Sequence, residues 1–206
     1  MYQPPAFRED RLDVLHALIE THRLATLVTH SVEGLVANLV PFTLDKTRGE
    51  HGVLRAHLAR ANDQFSALGS GSEALVIFQG PQAYVTPSWY PSKQEHGKVV
   101  PTWNYVVVQV WGKPQLIDDA AWLRAQIDEL TATQEGTRQH PWAVDDAPAA
   151  YIDAQLKGIF GLEIPIERIE GKWKVSQNRP EPDRAGVAEG MLGEGTTEMA
   201  ELVARR

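Results

Sequence analysis

Three short stretches of the sequence carry the side chains best suited to bind a ligand. The first, RAHLARANDQ, contains Arg55, His57, Arg60 and Asn62. Its pattern predicts the end of a strand followed by the start of a helix. A helix N-terminus favours an anion, and an arginine adds a permanently charged, two-pronged donor. The stretch therefore predicts an anion-binding cluster, or in the simpler interpretation a capped helix beside a solvated arginine.

The second stretch, PSWYPSKQEHGKVVPTWNY, combines flat rings with hydrogen-bonding groups. Ser92 and Lys93 are residue types that can bind a phosphate, the serine through a short side chain and the lysine through a long one. Thr102, Trp103 and Asn104 stand at the start of an apolar strand that can hold them rigidly. An aromatic plane beside amide donors suits a flat heteroaromatic ring. The alternative is that the tryptophans only anchor the core or an interface, which is a weaker explanation for the whole group than for any single ring.

The third stretch is GKWKVSQNR, whose alternating residue types are typical of a strand. On a strand, Lys174, Ser176 and Asn178 share one face and could hydrogen-bond a heteroaromatic ring or a sugar chain. The alternative is an ordinary solvent face. Together the three stretches offer an anion cradle, a flat surface and a set of donors, which are the parts that FMN needs. Composition alone does not separate FMN from another phosphorylated heteroaromatic compound.

The composition fits one globular domain and excludes several kinds of site. The chain has 206 residues, of which 43% are hydrophobic and none is cysteine. Disulfides, zinc-thiolate sites, iron–sulfur clusters and a cysteine nucleophile are therefore excluded, and a reducing cytoplasm is the expected location. The net charge of −7 argues against unaided DNA binding and against an anionic membrane surface. No apolar run approaches the roughly 20 residues of a membrane span, and the N-terminus lacks the apolar core of a signal peptide.

Other familiar catalytic and recognition motifs are absent. The sequence has neither a P-loop nor the nucleophile elbow of the α/β-hydrolases. Its seven histidines form no H-x-x-x-H or H-x-H pair, so we predict no metal site. The acidic helical segment after residue 118 has the wrong charge for a helix that enters a DNA groove. These patterns assign no catalytic residue.

The elements that must position the three stretches are mostly short strands. Apolar periodicity predicts a helix over 10–21 and then a hairpin from LATLVTHS to GLVANLVPFTLD through the turn SVEG. A third strand, VLRAHL, is followed by the short helix ARANDQFSAL. EALVIFQG and QAYVTP are predicted as separate strands around Gly80 and Pro81. The next strand, NYVVVQVWGKPQLI, is apolar on both faces and is expected to be covered on both sides.

The last part of the chain changes character. Two helices are predicted within an insertion over about 118–158. Residues 159–169 and 172–178 are then expected to form a hairpin across Glu170 and Gly171. The polar, Gly-rich remainder has one short helix near Thr197. Many short strands joined mostly as hairpins predict a mainly β, α+β fold built on a small β-barrel.

Several motifs together resemble one known family. MYQPPAF, AHLARAN, FQGPQAYVTPSWYPSK, KVVPTWNY and GKWKVSQNR followed by DRAGVAEG are similar to the PaiB family of FMN-binding negative transcriptional regulators. The likeness covers about residues 1–191, with small departures at Leu39, Asp63 and Phe65. It implies a split β-barrel domain of the FMN-binding type over that range, similar to pyridoxamine-phosphate oxidase, followed by a polar tail at 192–206.

The resemblance also implies a homodimer, with FMN in a groove near the subunit interface. By analogy with split-barrel flavoproteins, one set of residues would bind the phosphate and the ribityl chain: Arg60, Asn62, Ser92 and Lys93. A second set would line the ring: His57, Thr102, Trp103 and Asn104. A third set would reach the site of the same or the other subunit: Lys174, Ser176 and Asn178.

Three functions fit these expectations. The first is a PaiB-type negative transcriptional regulator that acts as a flavin-dependent or metabolite-linked sensor. Direct DNA binding stays open although the charge does not support it, and regulation through a partner protein is the alternative. The second is an FMN-dependent oxidoreductase acting on a small substrate, in which the cofactor performs the hydride chemistry. The third is a haem-handling protein on the same barrel, with His57 or His96 as axial ligand. The scattered histidines support the third function least.

Overall fold

The computed structural model describes residues 1–32 and 34–205. The strands are β1 (Arg8–Glu9), β2 (Leu24–Ser31), β3 (Gly34–Pro41), β4 (Thr43–Asp45), β5 (Val53–Ala59), β6 (Ala74–Val85), β7 (Thr102–Gly112), β8 (Gln115–Ile117), β9 (Ile159–Pro165) and β10 (Arg168–Lys174). The α-helices are α1 (Leu12–Thr21), α2 (Phe65–Leu68), α3 (Ser92–His96), α4 (Ala120–Glu135), α5 (Ala149–Lys157), α6 (Glu181–Gly193) and α7 (Thr197–Ala204). Within the described part of the chain, no helix has both the length and the apolar character needed to cross a membrane.

The chain divides into two compact units, which are described separately. The first unit contains residues 1–18, 79–108 and 170–206, and the second contains residues 19–78 and 109–169. The long strands β6 and β7 contribute residues to both units. The predicted boundary between a domain at 1–191 and a tail at 192–206 stays a prediction.

In the first unit, the strand order is β1-β10-β7-β6. Along β7, Val106 and Val108 are buried, whereas Tyr105 and Val107 are half-buried. This alternation follows the two-residue period of a strand. The second face of β7 is thus only partly covered within one chain. At the C-terminal end of the unit, α6 and α7 pack against each other.

In the second unit, β2 and β3 pair in antiparallel fashion from Leu24 opposite Pro41 to Ser31 opposite Gly34, which confirms the predicted pairing of these strands as far as Pro41. The predicted turn SVEG includes Glu33, which lies outside the described residues. β6, β2 and β3 are neighbours in that order, and a second sheet has the order β4-β5-β9-β8. α4 and α5 confirm the predicted helical insertion and share a small apolar core.

Four predictions about the strands are wrong. GLVANLVPFTLD, predicted as one strand, divides into β3 and β4, and β4 pairs with β5. NYVVVQVWGKPQLI, also predicted as one strand, divides into β7 and β8, and β8 pairs with β9.

β6 is one continuous strand from Ala74 to Val85 that passes through Gly80 and Pro81. The missing side chain of Gly80 leaves room for Leu18, because a Cβ there would lie 2.7 Å from Leu18 Cδ1. β9 and β10 do not form the predicted hairpin. Gly171 lies within β10 and pairs with Glu9 of β1, whereas β9 pairs with β5 and β8.

The chain after Arg179 is more regular than its composition suggests. The predicted short helix near Thr197 is confirmed as α7. A further helix, α6, was not predicted, because its glycines lower the helix propensity of the segment. Two of these glycines, Gly186 and Gly190, leave room for Trp89, which packs closely against the helix.

Candidate functional site

The structure distributes the predicted site residues over both units. Eight of them lie in the first unit: Ser92, Lys93, Thr102, Trp103, Asn104, Lys174, Ser176 and Asn178. Three lie in the second unit: His57, Arg60 and Asn62. Five of the first-unit residues line one small cavity, which is the main candidate site.

This polar cavity has a volume of about 60 Å³. It is lined by Tyr90, Thr102, Asn104, Lys174, Ser176, Asn178 and Arg179. The sequence patterns do not predict Tyr90 and Arg179 as ligands. For Arg179 a signal exists, because an arginine directly follows the donor residues of GKWKVSQNR.

Two strands and one turn bring these side chains together. β7 begins at Thr102, so Thr102 and Asn104 share one face of the strand. β10 ends at Lys174, and residues 175–179 form a turn in which the Arg179 N–H donates to the Ser176 carbonyl at 2.9 Å. The predicted continuous strand face through this segment is therefore wrong, although its three polar residues still line the cavity.

Local contacts explain why the strand stops. The Gln177 side chain accepts a hydrogen bond from the Val175 N–H at 2.8 Å and donates to the Trp173 carbonyl, so it competes with strand pairing. Ser176 has a φ of 63° and is the one non-glycine residue with positive φ in the described chain. This left-handed backbone costs roughly 1–2 kcal/mol for a residue with a Cβ. Strain of this kind is found preferentially at functional sites.

Neutral groups hold the lysine and the asparagine of the polar cavity. Lys174 Nζ donates to the Thr102 hydroxyl at 2.5 Å and to the Trp103 carbonyl. Asn104 is buried, and its Nδ2 donates to Ser176 Oγ at 2.9 Å. The cavity therefore has an ordered lining before any ligand is bound.

The polar cavity carries positive charge. Burial lowers the pKa of Lys174, and the neighbouring cations Lys172 and Arg179 lower it further. Arg179 packs on the Tyr90 ring, with Cζ 4.8 Å from the ring centroid, within range of a cation–π interaction. Tyr90 is 2% exposed, and its hydroxyl has no hydrogen-bond partner of good geometry among the described residues. Burial raises the pKa of Tyr90, while Arg179 opposes this shift.

Ser92 and Lys93 lie on α3 and outside the lining of the polar cavity. The Ser92 N–H and hydroxyl donate to the two carboxylate oxygens of Asp183, at 3.1 and 2.7 Å. Asp183 is buried in the first turn of α6, and Lys93 is exposed. The Ser92 contacts therefore fasten α3 to α6 in this chain.

Trp89, just before α3, packs against α6 at two glycines. A Cβ at Gly186 would lie 2.1 Å from the Trp89 carbonyl oxygen, and a Cβ at Gly190 would lie 2.3 Å from the indole ring. Real Cβ atoms do not approach other atoms this closely. The glycines of α6 are thus part of the support for the loop that carries Tyr90.

A shallow aromatic surface lies along β6 and β7. It is a cleft of about 390 Å³ lined by Gln79, Gly80, Gln82, Trp103 and Tyr105. Trp103 is 53% exposed, and its ring meets the Tyr84 ring edge-on, with the centroids 5.8 Å apart. An exposed ring beside two glutamine amides suits a flat heteroaromatic group.

The two charged or titratable residues predicted in the second unit have protein partners. His57 Nδ1 lies 2.7 Å from Gln126 Oε1. Arg60 forms an ion pair with Asp118, and its Nε donates to the Lys157 carbonyl at 3.0 Å. These contacts tie the end of β5 to the helical insertion.

The predicted helix start beside Arg60 is wrong. α2 has four residues and begins only at Phe65, so Arg60 and Asn62 lie in the turn before it. Asn62 Oδ1 accepts from the Gln64 N–H at 2.9 Å. This local side-chain bond favours a turn over a helix.

Histidine chemistry has little structural support. Among residues 1–32 and 34–205, no group of three or more His, Asp or Glu residues could hold a metal ion. His96 is exposed, and its Nδ1 accepts from the Lys98 N–H at 3.0 Å. Neither His96 nor His57 lines the polar cavity.

Comparison with solved structures defines the class of protein. The chain is similar to the FAD and heme binding protein from Mycobacterium smegmatis, with a TM-score of 0.60 and 20% identity over 81% of this chain and 73% of that chain. At this identity the likeness shows the fold alone. The fold is the α+β split barrel of flavin-binding proteins, so the predicted fold class is confirmed.

Sequence comparison defines the family. The family model described as "Putative FMN-binding domain" matches residues 1–168. The chain is 36% identical to an uncharacterized protein of Emericella nidulans over 231 residues, which cover 95% of this chain and 92% of the relative. It is 30% identical to the Protease synthase and sporulation protein PAI 2 of Bacillus subtilis over 206 residues, which cover 98% of this chain and 96% of the relative. The chain belongs to this FMN-binding family, and the resemblance to PaiB is confirmed.

Proposed function

We propose that this chain is an FMN-binding, PaiB-type negative regulator of transcription, which senses a metabolite or the redox state of its flavin in the cytoplasm. The observation that carries the proposal is the polar cavity, where Lys174, Arg179 and the buried Tyr90 hydroxyl surround a small space. The relative from Bacillus subtilis, which is named for protease synthesis and sporulation, supports a regulatory role. The net charge of −7 disfavours direct DNA binding, so the signal would pass through a partner protein.

The first unit supplies two kinds of contact that suit FMN. The aromatic surface offers the exposed Trp103 ring and glutamine amides for a flat ring. The polar cavity offers cations, hydroxyls and the Asn104 amide for oxygen-rich groups. When bound, FMN supplies electron and hydride transfer, and the chain orients it and provides positive charge. The assignment of phosphate and ring contacts to Ser92 and to the second-unit residues stays a prediction from the resemblance.

We also propose that the protein is a homodimer with FMN near the subunit interface. β3 is the last strand in the order β6-β2-β3, and its outer face carries Leu35 and Leu39, which are 75% and 66% exposed. Leu24 on β2 extends this apolar patch. Contiguous exposed apolar residues mark interaction surfaces, and a second copy of the chain is the partner that the resemblance implies.

An FMN-dependent oxidoreductase is the second candidate, and Lys174 is the observation that favours it. A lysine with a lowered pKa, held by a hydroxyl at 2.5 Å, has the features of a group that transfers protons. In this alternative, Lys174 would give a proton to, or take one from, a small substrate beside the flavin.

The first experiment is an absorbance spectrum of the purified protein, before and after FMN is added and the excess is removed. A stoichiometric complex with a shifted flavin band supports the proposal, and a protein that retains no flavin contradicts it. Lys93→Ala and Arg60→Ala variants then test the predicted phosphate contacts. NAD(P)H-driven bleaching of the bound flavin favours the oxidoreductase. Salt-sensitive binding of promoter DNA by the pure protein would contradict regulation through a partner.

A further inference from the structure

The polar cavity has an excess of positive charge that the protein does not compensate. Lys174 donates to the neutral oxygens of Thr102 and Trp103. Arg179 stacks on Tyr90, and no ion pair joins either cation to a carboxylate among the described residues. Partly buried cations cost free energy unless an anion lies beside them.

The other charged groups around the cavity do not remove this excess. Lys172 adds a third cation, which lies 5.2 Å from the Tyr105 ring centroid and 5.4 Å from that of Tyr2. The carboxylate that acts on Tyr90 is Asp183, and it already accepts the N–H and hydroxyl of Ser92. One negative group in the cavity would therefore face two lining cations, Lys174 and Arg179, with Lys172 close enough to act on Lys174.

The Tyr90 hydroxyl and the Ser176 backbone also indicate a ligand site. The Tyr90 hydroxyl is buried and makes no hydrogen bond of good geometry among the described residues, although Arg179 lies close enough to lower its pKa. An unmade bond to a buried polar group costs roughly 1–3 kcal/mol. The strained backbone of Ser176 holds its hydroxyl against Asn104 at the same cavity. A site that keeps both a buried hydroxyl without a well-formed hydrogen bond and a strained residue is organised for a ligand rather than for stability alone.

We propose that the polar cavity binds one compact oxyanion, a carboxylate or phosphate group, through Lys174, Arg179 and the Tyr90 hydroxyl. In the sensor proposed above, this oxyanion is the head group of the sensed metabolite; that role rests on the proposed function, whereas binding of the anion does not. The phosphate of FMN has the same chemistry and is the other source to be tested. A volume of about 60 Å³ is suited to a compact group of this size.

The test uses the full chain and three cavity variants: Lys174→Met, Arg179→Met and Tyr90→Phe. Lys98→Met is the matched control, because Lys98 is an exposed lysine of the same unit that does not line the cavity. Inorganic phosphate and acetate are titrated into each protein by calorimetry, with and without bound FMN. FMN is compared with riboflavin, which lacks the phosphate. Tyr90→Phe removes only a hydroxyl that makes no hydrogen bond of good geometry and is expected to fold. It therefore still tests the cavity if the charge variants fail to fold.

We expect the wild type and Lys98→Met to bind an added anion, and Lys174→Met and Arg179→Met to lose affinity by roughly 10- to 100-fold, the worth of a charged hydrogen bond. Tyr90→Phe should lose less. Anion binding in the presence of FMN identifies a metabolite head group. Anion binding only in its absence, with charge variants that no longer prefer FMN to riboflavin, identifies the flavin phosphate.

Two results would overturn the inference. The first is a wild type that binds neither anion and shows equal affinity for FMN and riboflavin. The second is anion binding that survives both charge variants unchanged. A wild type that binds phosphate but no flavin contradicts the proposed function and supports the oxyanion site, so the two failures are distinguishable.

Discussion

The Asn104 amide donates a hydrogen bond of 2.9 Å to the Ser176 hydroxyl. This bond joins the start of β7 to the turn that follows β10. Both side chains are buried. Because Ser176 has a left-handed backbone, the bond holds a strained residue in place. The polar cavity is organised around this pair.

Substitution of Ser176 should separate the hydrogen bond from the strain. Ser176→Ala loses the hydroxyl but keeps the Cβ, whereas Ser176→Gly loses both and tolerates positive φ. We expect Ser176→Gly to be more stable than Ser176→Ala by about 1 kcal/mol, as measured by urea unfolding. Equal stabilities would mean that the left-handed backbone of Ser176 carries no cost.

Side-chain periodicity predicted the elements whose residues alternate or recur without interruption. β2 and α1 follow their apolar patterns closely. The segment after Lys174 has the same alternating pattern but leaves the strand, because the Gln177 side chain bonds the local backbone. The spacing of apolar residues contains no information about such a bond or about the positive φ of Ser176.

The candidate site was predicted in residue type but not in arrangement. Thr102, Asn104 and Lys174 meet in one cavity because β7 and β10 are neighbours, and no local pattern encodes that pairing. The role of Tyr90 depends on Arg179, which is distant in sequence. Motif resemblance identified the family because it uses several separated segments at once.

The packing of Trp89 on α6 gives a prediction about stability. Gly186→Ala would place a Cβ 2.1 Å from the Trp89 carbonyl oxygen, so we expect a loss of about 1–3 kcal/mol from overpacking. Gly193→Ala, in the same helix, has no atom within 4 Å of the new Cβ. This control should be neutral, or more stable by up to about 1 kcal/mol. Thermal unfolding of both variants makes the comparison, and similar losses in the two would contradict it.

Lys174 predicts how stability depends on pH. Its pKa is lowered in the folded protein by burial and then by Lys172 and Arg179, from 10.5. Between the folded pKa and 10.5 the unfolded chain binds more protons, so wild-type stability rises with pH in that window. Below the folded pKa both states are protonated, and the cost of the desolvated charge is fully present.

Lys174→Met removes this titration. The free energy of unfolding of the variant, relative to the wild type, should therefore decrease as the pH rises towards 10.5. Urea unfolding at several alkaline pH values measures the difference, with Lys98→Met as the exposed control. A difference that stays constant with pH, or the same trend in the control, would count against the desolvation of Lys174.

Glu163, in the second unit, gives a pH dependence of the same sign as Lys174, but in acid and because its charged form is stabilised rather than destabilised. Hydrogen bonds from Arg48, at 2.7 and 2.9 Å, lower the pKa of Glu163 below 4.5, and the Trp122 indole N–H at 3.0 Å adds to this against the effect of burial. The stabilisation is present above pH 4.5 and is lost as the pH falls through the folded pKa. Glu163→Gln should cost about 1–3 kcal/mol at neutral pH, and this cost should shrink in acid.

A matched variant distinguishes this buried carboxylate from an exposed one. Glu201 pairs with Arg205 at 3.0 Å on the surface of α7, where an ion pair contributes roughly 0–1 kcal/mol. Glu201→Gln should therefore change stability little at any pH. Acid titrations of both variants, followed by circular dichroism, would contradict the argument if the two carboxylates behaved alike.

The apolar patch formed by Leu24, Leu35 and Leu39 predicts the effect of a charge on assembly. Leu39→Asp places a carboxylate in the outer face of β3, where a second copy would have to desolvate it. We expect sedimentation velocity to show a dimer for the wild type and a monomer for Leu39→Asp. Leu192→Asp, which alters an exposed leucine of α6, is the control and should remain dimeric. A wild-type monomer, or a Leu39→Asp dimer, would place the subunit contact elsewhere or remove it.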